Sequence, residues 1–353
     1  MTLLHVDITT LDDLETMELD ASGMLDHVTL LGHEFVSAWE RASVLQTPSG
    51  PFDSVVIAGV GGSAIAGDYF RGLALLSSPV PIEVVRSATL PAYVGDGTLV
   101  IACSYSGNTT EALTCYKEAR IRGASVLVIS SGGEITKRAQ TDGFPCWHID
   151  YDSPPRAALG PSLAVILRLG TVLGLLDLED EDVHRSGATH SGLALEVIGP
   201  GIPARDNRGK SLAGELIGRN PLVLAAEHLE PAAVRFCNQL AENGKLMATV
   251  GALPEAQHNL IVAMEDHTLG ARSALVTFES ELNSERIAHS LSGLAQLTGE
   301  AGVPVHRIRL SGTSRLTDLL EATAWADLVS CYVGLLGGHD PTPIKPIERL
   351  KAQ

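Results

Sequence analysis

The sequence predicts an α/β protein with two units, each a doubly wound, mainly parallel sheet flanked by helices. Two observations predict this class. Short runs rich in β-branched residues alternate with amphipathic stretches, first over residues 54–151 and again from residue 220 onward, and such alternation is typical of parallel sheets covered by helices. A chain of 353 residues, 45% of them hydrophobic, is also long enough to bury two cores.

The predicted elements follow one another in a regular order. Residues 11–47 carry apolar side chains at helical spacing and are expected to be helical. The strands of the first sheet are predicted in SVVIAGV, PIEVVR, TLVIACSYS, ASVLVISS and PCWHIDY, and a helix in GPSLAVILRLGTVLGLLDL follows them. The strands of the second sheet are predicted in NPLVLAA, KLMATVG, SALVTFES and PVHRIRLSG. We therefore expect one domain over residues 1–180 and a second over residues 181–353.

Composition excludes several classes of partner. The formal net charge of −17, without a cluster of Lys and Arg, disfavours binding to nucleic acid or to an anionic membrane. The acidic N-terminus has no basic segment followed by a long apolar run, so we expect a cytoplasmic protein. The five cysteines are scattered without a C-x-x-C pair, which predicts buried thiols rather than disulfides or a zinc site.

The stretch GVGGSAIAGD, residues 59–68, comes directly after a predicted buried strand and opens a predicted helix. Glycines at a helix N-terminus leave backbone N–H groups accessible to an anion, and phosphate is the usual one. The spacing Gly59-x-Gly61-x-x-Ala64 also fits the dinucleotide fingerprint G-x-G-x-x-G/A. This stretch alone leaves both a cofactor and a phosphorylated substrate open.

A second stretch, CSYSGNTTEAL at residues 103–113, also joins a predicted strand to a predicted helix. Its hydroxyls can donate several hydrogen bonds to phosphate oxygens. In PIEVVRSATLP, Glu83 lies at the start of the strand and Arg86 at its end, so only an NADP-linked variant of the dinucleotide hypothesis survives. Two hydroxyl-rich loops at neighbouring strand ends favour a sugar phosphate. The hydroxyl residues of the second loop are Ser104, Ser106, Thr109 and Thr110.

These two stretches together resemble the sugar isomerase (SIS) fold. Three further stretches, SPPRAALG, NQLAENGKLMATVGALPEAQHNLI and DPTPIKPIERLK, are similar to the bifunctional phosphoglucose/phosphomannose isomerases. The resemblance implies two SIS subdomains in a homodimer that interconverts glucose 6-phosphate or mannose 6-phosphate with fructose 6-phosphate. It implies that no metal or other cofactor is needed, and that the active site is shared between chains.

The resemblance also implies roles for particular residues. Arg156 matches the arginine that steadies the enediolate, Glu242 matches the base, His258 matches the ring-opening group and Lys351 matches the lysine that assists it. His339 and Thr342 receive no role. The residues that match the phosphate site are Gly61, Gly62, Ser63, Ser104, Ser106 and Thr109.

Elementary chemistry agrees with these residue types. Moving a proton between C1 and C2 of a sugar needs a carboxylate base, a cation for the developing oxyanion and an acid/base pair for the ring. EPAAVRFCNQLAENGK is predicted to be a helix that ends near Gly244, which places Glu242 in its last turn. Gly244 stands where the resembling family more often has Ser or Ala.

Two other functions remain open at this point. The chain could bind a sugar phosphate without turnover, as a sensor, although it lacks a basic recognition helix. It could also be an NADP-linked oxidoreductase, which the fingerprint and Arg86 support. The sequence leaves the preference between glucose 6-phosphate and mannose 6-phosphate undetermined.

Overall fold

The computed structural model describes residues 6–265 and 272–351. It divides into two compact units: residues 31–187 form the N-terminal unit, and residues up to Leu30 with those from Ala188 onward form the C-terminal unit. The division predicted from sequence differs, because it assigned the first 30 residues to the N-terminal domain. Both units contain parallel strands flanked by helices, so the predicted fold class is confirmed.

The helices and strands have the following bounds. The helices are α1 Leu14–Met17, α2 Met24–Arg41, α3 Gly62–Ala74, α4 Thr110–Ile121, α5 Gly133–Asp142, α6 Leu159–Val172, α7 Asp180–Gly192, α8 Arg208–Leu216, α9 Glu230–Glu242, α10 Glu285–Glu300, α11 Arg315–Leu336 and α12 Lys345–Lys351. The strands are β1 Ser54–Ala58, β2 Ile82–Val85, β3 Thr98–Cys103, β4 Ser125–Ser130, β5 Cys146–His148, β6 Asn220–Ala226, β7 Thr249–Leu253, β8 Ser273–Glu279 and β9 Val305–Arg309.

The helix expected over residues 11–47 is interrupted. Gly23 adopts a positive φ of 70°, and α2 begins after it. The carboxylate of Asp20 accepts hydrogen bonds from the backbone N–H groups of Met24 and Leu25, both at 2.8 Å. An aspartate that satisfies the first amides of a helix defines its start more strongly than the apolar spacing does.

The N-terminal unit contains a five-stranded sheet in the order β2-β1-β3-β4-β5, with every neighbouring pair parallel. All residues of β1 and β3 are buried, as expected for central strands with helices on both faces. On one face α3 packs so closely on β1 that a Cβ at Gly67 would lie 2.9 Å from Ile57 Cγ2. On the other face α4 and α5 cover a core around Val56, Val100 and Val126.

The C-terminal unit contains a four-stranded sheet in the order β7-β6-β8-β9, again with every pair parallel. Within the described residues, α11 is the helix long and apolar enough to cross a membrane. However, 89% of its most apolar window is buried inside the protein, as in a core helix, so this is weak evidence for a membrane span. All described cysteines are free thiols; Cys103, Cys115 and Cys331 are buried as predicted, whereas Cys146 and Cys237 are only half-buried.

Each sheet contains one switch point, a pair of neighbouring strands from whose carboxyl ends the chain continues to opposite sides of the sheet. In the first sheet β1 lies between β2 and β3, so the chain turns to opposite sides after β1 and after β3. In the second sheet β6 lies between β7 and β8, which creates an equivalent position. Ligands of open α/β sheets bind in the crevice beyond the carboxyl ends of the strands at such a switch point.

Candidate active site

The loop after β1 forms one side of the switch point in the N-terminal unit. Gly61 has a φ of 57° and a ψ of −130°, a conformation that glycine adopts readily, and α3 begins directly after it. A Cβ at Gly59 would lie 2.9 Å from the carbonyl oxygen of Cys103, so this glycine lets the ends of β1 and β3 approach each other. The side chain of Ser63 then meets the second loop, because its Oγ accepts from Tyr105 N at 3.3 Å.

The loop after β3 forms the other side of the switch point. Ser104 is buried, and its Oγ shares a hydrogen bond of 2.9 Å with Thr109 Oγ1. Ser106 is exposed, and its Oγ accepts from Asn108 N at 3.3 Å. The four hydroxyl residues that match the phosphate site therefore lie in two neighbouring loops. These residues are Ser63, Ser104, Ser106 and Thr109.

Both helices that begin in these loops have accessible N-termini. Neither Gly61, which precedes α3, nor Thr109, which precedes α4, supplies a side-chain cap. The first amides of a helix have no intrahelical acceptor, and the positive end of the helix dipole lies beside them. Two such ends with serine and threonine hydroxyls between them can bind a phosphate group.

A third loop, which the sequence analysis did not single out, holds the second one in place. Gly107 and Gly132 approach each other so closely that a Cβ at Gly107 would lie 1.7 Å from Gly132 O. Ile135 N donates to Gly107 O at 2.9 Å, and Ser131 Oγ donates to Tyr105 O at 2.6 Å. The sequence signal was the stretch SSGGE after the strand ASVLVI, a further junction of hydroxyls and glycines between a strand and a helix.

Arg156 lies in the loop between β5 and α6, beside the start of α3. A Cβ at Gly62 would lie 2.8 Å from Pro155 O and 3.1 Å from Arg156 Cα, so only glycine allows this contact at the observed distance. The Arg156 side chain is buried. The structure thus brings the predicted arginine next to the predicted phosphate loop within one unit.

The dinucleotide hypothesis loses its main support. Arg86, the residue that would have met the 2′-phosphate of NADP, forms an ion pair with the buried Asp68 of α3. Glu83 accepts a hydrogen bond from the hydroxyl of Tyr93 at 2.6 Å. Arg86, which in the sequence favoured a cofactor, therefore has an intramolecular partner.

Glu242 is the last residue of α9 in the C-terminal unit, as predicted, and it is half-buried. A buried ion pair fixes α9 against α11: Arg235 Nε and Nη2 donate to the two carboxylate oxygens of Asp327 at 2.8 and 2.7 Å. Gln239 Nε2 donates to the same carboxylate at 3.0 Å, and Asn243 Nδ2 donates to Ser330 Oγ at 3.0 Å. These bonds limit the movement of the helix end that carries Glu242.

Gly244 follows the C-cap of α9, but it does not adopt a positive φ; that conformation occurs at Lys245, with φ 52°. The glycine is explained by packing, because a Cβ at this position would lie 2.7 Å from Leu240 O and 3.0 Å from Val333 Cγ1. The ammonium group of Lys245 donates to the carbonyls of Glu242, Pro341 and Pro343 and so completes the C-terminus of the helix.

A cavity of about 800 Å³ adjoins Glu242 within the C-terminal unit. His339 and Asp340 line it, so the structure gives His339, which received no role from the sequence, a place beside the predicted base. His258 lies in a short 3-10 helix and Lys351 at the end of α12, and both are exposed. Neither belongs to the residues that line this cavity.

No group of three or more His, Cys, Asp or Glu side chains arranged to hold a metal ion occurs among the described residues. Burial raises the pKa of the Cys103 thiol to about 12 and that of the Cys237 thiol to about 12. Thiols with raised pKa values are poor nucleophiles at neutral pH. The described residues at these sites therefore offer hydroxyls, helix ends, the Arg156 guanidinium, the Glu242 and Asp340 carboxylates and the His339 imidazole.

Comparisons with known proteins agree with this geometry. The C-terminal domain of glucosamine-fructose-6-phosphate aminotransferase from Francisella tularensis superposes with a TM-score of 0.70 and 15% identity, covering 91% of this chain and 98% of that one. Residues 205–353 match the family described as "Bacterial phospho-glucose isomerase C-terminal SIS domain". The fold and the paired loops thus define a protein of the SIS class.

Two relatives specify the family within that class. A bifunctional phosphoglucose/phosphomannose isomerase from Caldicellulosiruptor bescii is 36% identical over 302 residues, which cover 85% of this chain and 88% of the relative. A protein of the same name from Aquifex aeolicus is 31% identical and covers 86% of this chain and 91% of its own. This chain belongs to the family of bifunctional phosphoglucose/phosphomannose isomerases.

Proposed function

We propose that this chain is an aldose–ketose isomerase that interconverts glucose 6-phosphate or mannose 6-phosphate with fructose 6-phosphate. The observation that carries this proposal is the pair of hydroxyl-rich loops at the β1/β3 switch point, where Ser63, Ser104 and Thr109 lie beside two helix N-termini. Hydroxyls and helix ends bind phosphate without a lysine. Membership of the isomerase family supports the same substrate class.

In the proposed mechanism the phosphate of the open-chain sugar binds to these loops. The Glu242 carboxylate removes the proton from C2 of the aldose and returns it to C1, and between these two steps, in the enediolate, the O2 hydroxyl proton passes to O1. The Arg156 guanidinium stabilises the negative charge that develops on the enediolate oxygen. The two carbons exchange oxidation states within one molecule, so the reaction needs no external oxidant or reductant.

We assign His258 and Lys351 to ring opening, which precedes the proton transfer. His258 exchanges a proton with the ring oxygen, and Lys351 assists it. Their exposure is compatible with contact to a substrate. The assignment predicts that His258→Ala slows turnover of the cyclic sugar phosphate more than turnover of a substrate supplied in its open-chain form.

A coupled assay with purified protein tests the proposed function. Glucose 6-phosphate and mannose 6-phosphate are supplied separately, and the formation of fructose 6-phosphate is measured. Turnover of at least one sugar is expected. Binding of both sugars without turnover of either would instead establish a sugar-phosphate sensor, and consumption of NADPH would establish the oxidoreductase.

The working enzyme, in this proposal, is a cytoplasmic homodimer in which one active site uses Glu242 from one chain and His258 from its partner. The support is that His258 does not line the cavity beside Glu242 in its own unit. Mixing the inactive variants Glu242→Gln and His258→Ala after subunit exchange is expected to restore about a quarter of the wild-type activity, because half the dimers are mixed and half their sites are intact. No recovery after verified exchange would exclude a shared site.

A further inference from the structure

Tyr105 contacts every loop that forms the candidate site of the N-terminal unit. Its backbone N–H donates to Ser63 Oγ at 3.3 Å, in the loop after β1. Its carbonyl accepts from the backbone and side chain of Ser131, in the loop after β4, at 3.0 and 2.6 Å. Its phenol hydroxyl donates to Tyr151 O at 2.6 Å and accepts from Ser153 N at 3.0 Å, in the loop after β5.

The segment that the hydroxyl holds leads directly to Arg156. The Tyr105 hydroxyl fixes the start of this segment, and contact with Gly62 limits its end. Between them, Pro154 and Pro155 each have a φ fixed by the pyrrolidine ring. A displacement at the start of the segment is therefore transmitted to the arginine, since the intervening backbone has little freedom to absorb it.

We propose that Tyr105 is a positioning residue, whose hydroxyl holds the loop over residues 151–156 so that Arg156 meets the enediolate of the bound substrate. The inference rests on the proposed isomerase function. Tyr105 contacts the proposed phosphate loop through its backbone N–H, and it contacts the segment that leads to Arg156 through its hydroxyl. Removal of the hydroxyl therefore changes the contact with the segment that leads to Arg156 but leaves the backbone contact with the phosphate loop in place.

The first test is Tyr105→Phe, which keeps the ring and the backbone but can neither donate to Tyr151 O nor accept from Ser153 N. The turnover number is expected to fall roughly ten- to a hundredfold, as for a misplaced reacting group. The inhibition constant of inorganic phosphate should stay unchanged. Tyr93→Phe is the matched control, because it also removes a hydroxyl that donates at 2.6 Å, but to Glu83 near the amino ends of the same strands. It should retain wild-type turnover.

A double-mutant cycle separates positioning from a general structural effect. If Tyr105 acts through Arg156, adding Tyr105→Phe to Arg156→Ala lowers turnover no further than Arg156→Ala alone. A full additional loss in the double variant would overturn the proposal. So would a single Tyr105→Phe variant with wild-type turnover, or one whose phosphate inhibition weakens as much as its turnover falls.

Hydrogen exchange supplies a readout that does not depend on activity. In Tyr105→Phe, the amide of Ser153 loses its acceptor, so exchange should become faster over residues 151–157 and remain unchanged in β1 and β3. Unchanged exchange in that segment would overturn the proposed contact. A wild-type protein without isomerase turnover, together with the expected exchange pattern, would refute the proposed function while supporting the role of Tyr105 in holding the loop.

Discussion

The two sheets have the same arrangement of strands at their switch points, but opposite chemistry in the loops that follow. In the first sheet, the loops over residues 59–63, 104–109 and 131–133 contain glycines and hydroxyls and no acidic residue; Glu111 and Glu134 come after them, in the first turns of α4 and α5. In the second sheet, Glu227 follows β6 directly and Asp318 lies in the first turn of α11. The strand order alone therefore does not predict which of the two switch points binds a phosphate, and the side chains in the loops have to be considered.

At the second switch point, the carboxylates of acidic residues accept hydrogen bonds from the N–H and hydroxyl groups that would otherwise be donors to a phosphate. Glu227, held at a φ of 55°, accepts from Asn283 Nδ2 at 3.2 Å and from Ser284 N at 3.4 Å. Asp318 is fully buried and accepts from the hydroxyl of Ser280 and from Gly312 N, the latter at 2.9 Å. Internal carboxylates accept from the donors at this edge, whereas at the first edge serine hydroxyl oxygens accept from the backbone amides of Tyr105 and Asn108.

The largest effect is expected at Glu242, the proposed base, which lies in the C-terminal unit. Glu242→Gln keeps the size and hydrogen-bonding capacity of the side chain but removes the proton acceptor. Turnover should fall by a factor on the order of 100 to 10,000, with unchanged inhibition by inorganic phosphate. The control is Glu285→Gln at the start of α10, which should leave turnover unchanged. Near-normal turnover of the first variant would remove Glu242 from the mechanism.

The next comparison is between two serines, one after a strand of each switch point, and the effect of replacing each on the KM for sugar 6-phosphates. Ser106 belongs to the loop after β3, and Ser284 precedes the helix that follows β8. Ser106→Ala should raise the KM for sugar 6-phosphates about tenfold or more, because a hydrogen bond to a charged acceptor contributes about 1.5 to 3 kcal/mol. Ser284→Ala should leave KM unchanged. Equal effects of both substitutions on KM would contradict the difference between the edges.

The two units should also differ in their response to acid. Burial, and to a lesser degree the charge of Arg235, lowers the pKa of His190 to about 3. Neither ring nitrogen has a hydrogen-bond partner within the described residues. The three histidines of the N-terminal unit, His33, His148 and His184, are exposed.

A histidine whose pKa is lowered in the folded state takes up its proton mainly after unfolding. Below pH 6.5 the unfolded chain therefore binds more protons, and His190 should reduce the free energy of unfolding by up to ~1.4 kcal/mol per pH unit. Denaturant unfolding at pH 7 and pH 5.5 tests this. His190→Leu should flatten the pH dependence by about 1 kcal/mol over this interval. The same slope in His190→Leu and wild type would disprove the assignment.

The smallest effect is expected from neutralising the second edge. Glu227→Gln keeps an oxygen that can accept from Asn283 and Ser284 but removes the negative charge. KM and phosphate inhibition should stay at wild-type values, since the proposed phosphate site lies at the other sheet. If calorimetry detected a second phosphate-binding site in this variant, the negative charge of Glu227 alone would prevent phosphate from binding at the second edge, and the hydrogen bonds from Asn283 and Ser284 would not.

The sequence predicted the strands well because hydrophobic runs between glycine turns are local signals: eight of the nine predicted runs contain a whole strand, and KLMATVG covers the first three residues of β7. It predicted Ser63, Ser104, Ser106 and Thr109 together because each loop follows a strand immediately. It did not predict the ion pair between Arg86 and Asp68, the hydrogen bond between Ser131 and Tyr105, or the place of His339. Those depend on contacts between segments distant in sequence, which periodicity does not encode.

Gly244 illustrates the same limit at one position. The sequence predicted that the helix ends near this residue, and glycines at helix ends commonly adopt a positive φ, yet the positive φ occurs one residue later, at Lys245. The glycine is needed because Val333 and Ser330 of α11 lie within 3.0 and 3.3 Å of a Cβ built there. Only the packing of two helices reveals that reason.

The central claim is that the substrate's phosphate binds at the switch point of the first sheet and not at that of the second. A crystal structure with fructose 6-phosphate tests it most directly, because the phosphorus atom is readily located. The phosphate is expected between Ser63 and the loop over residues 104–109, accepting hydrogen bonds from the first amides of α3 and from the serine and threonine hydroxyls. A phosphate bound instead among Glu227, Asn283 and Ser284 would contradict the account.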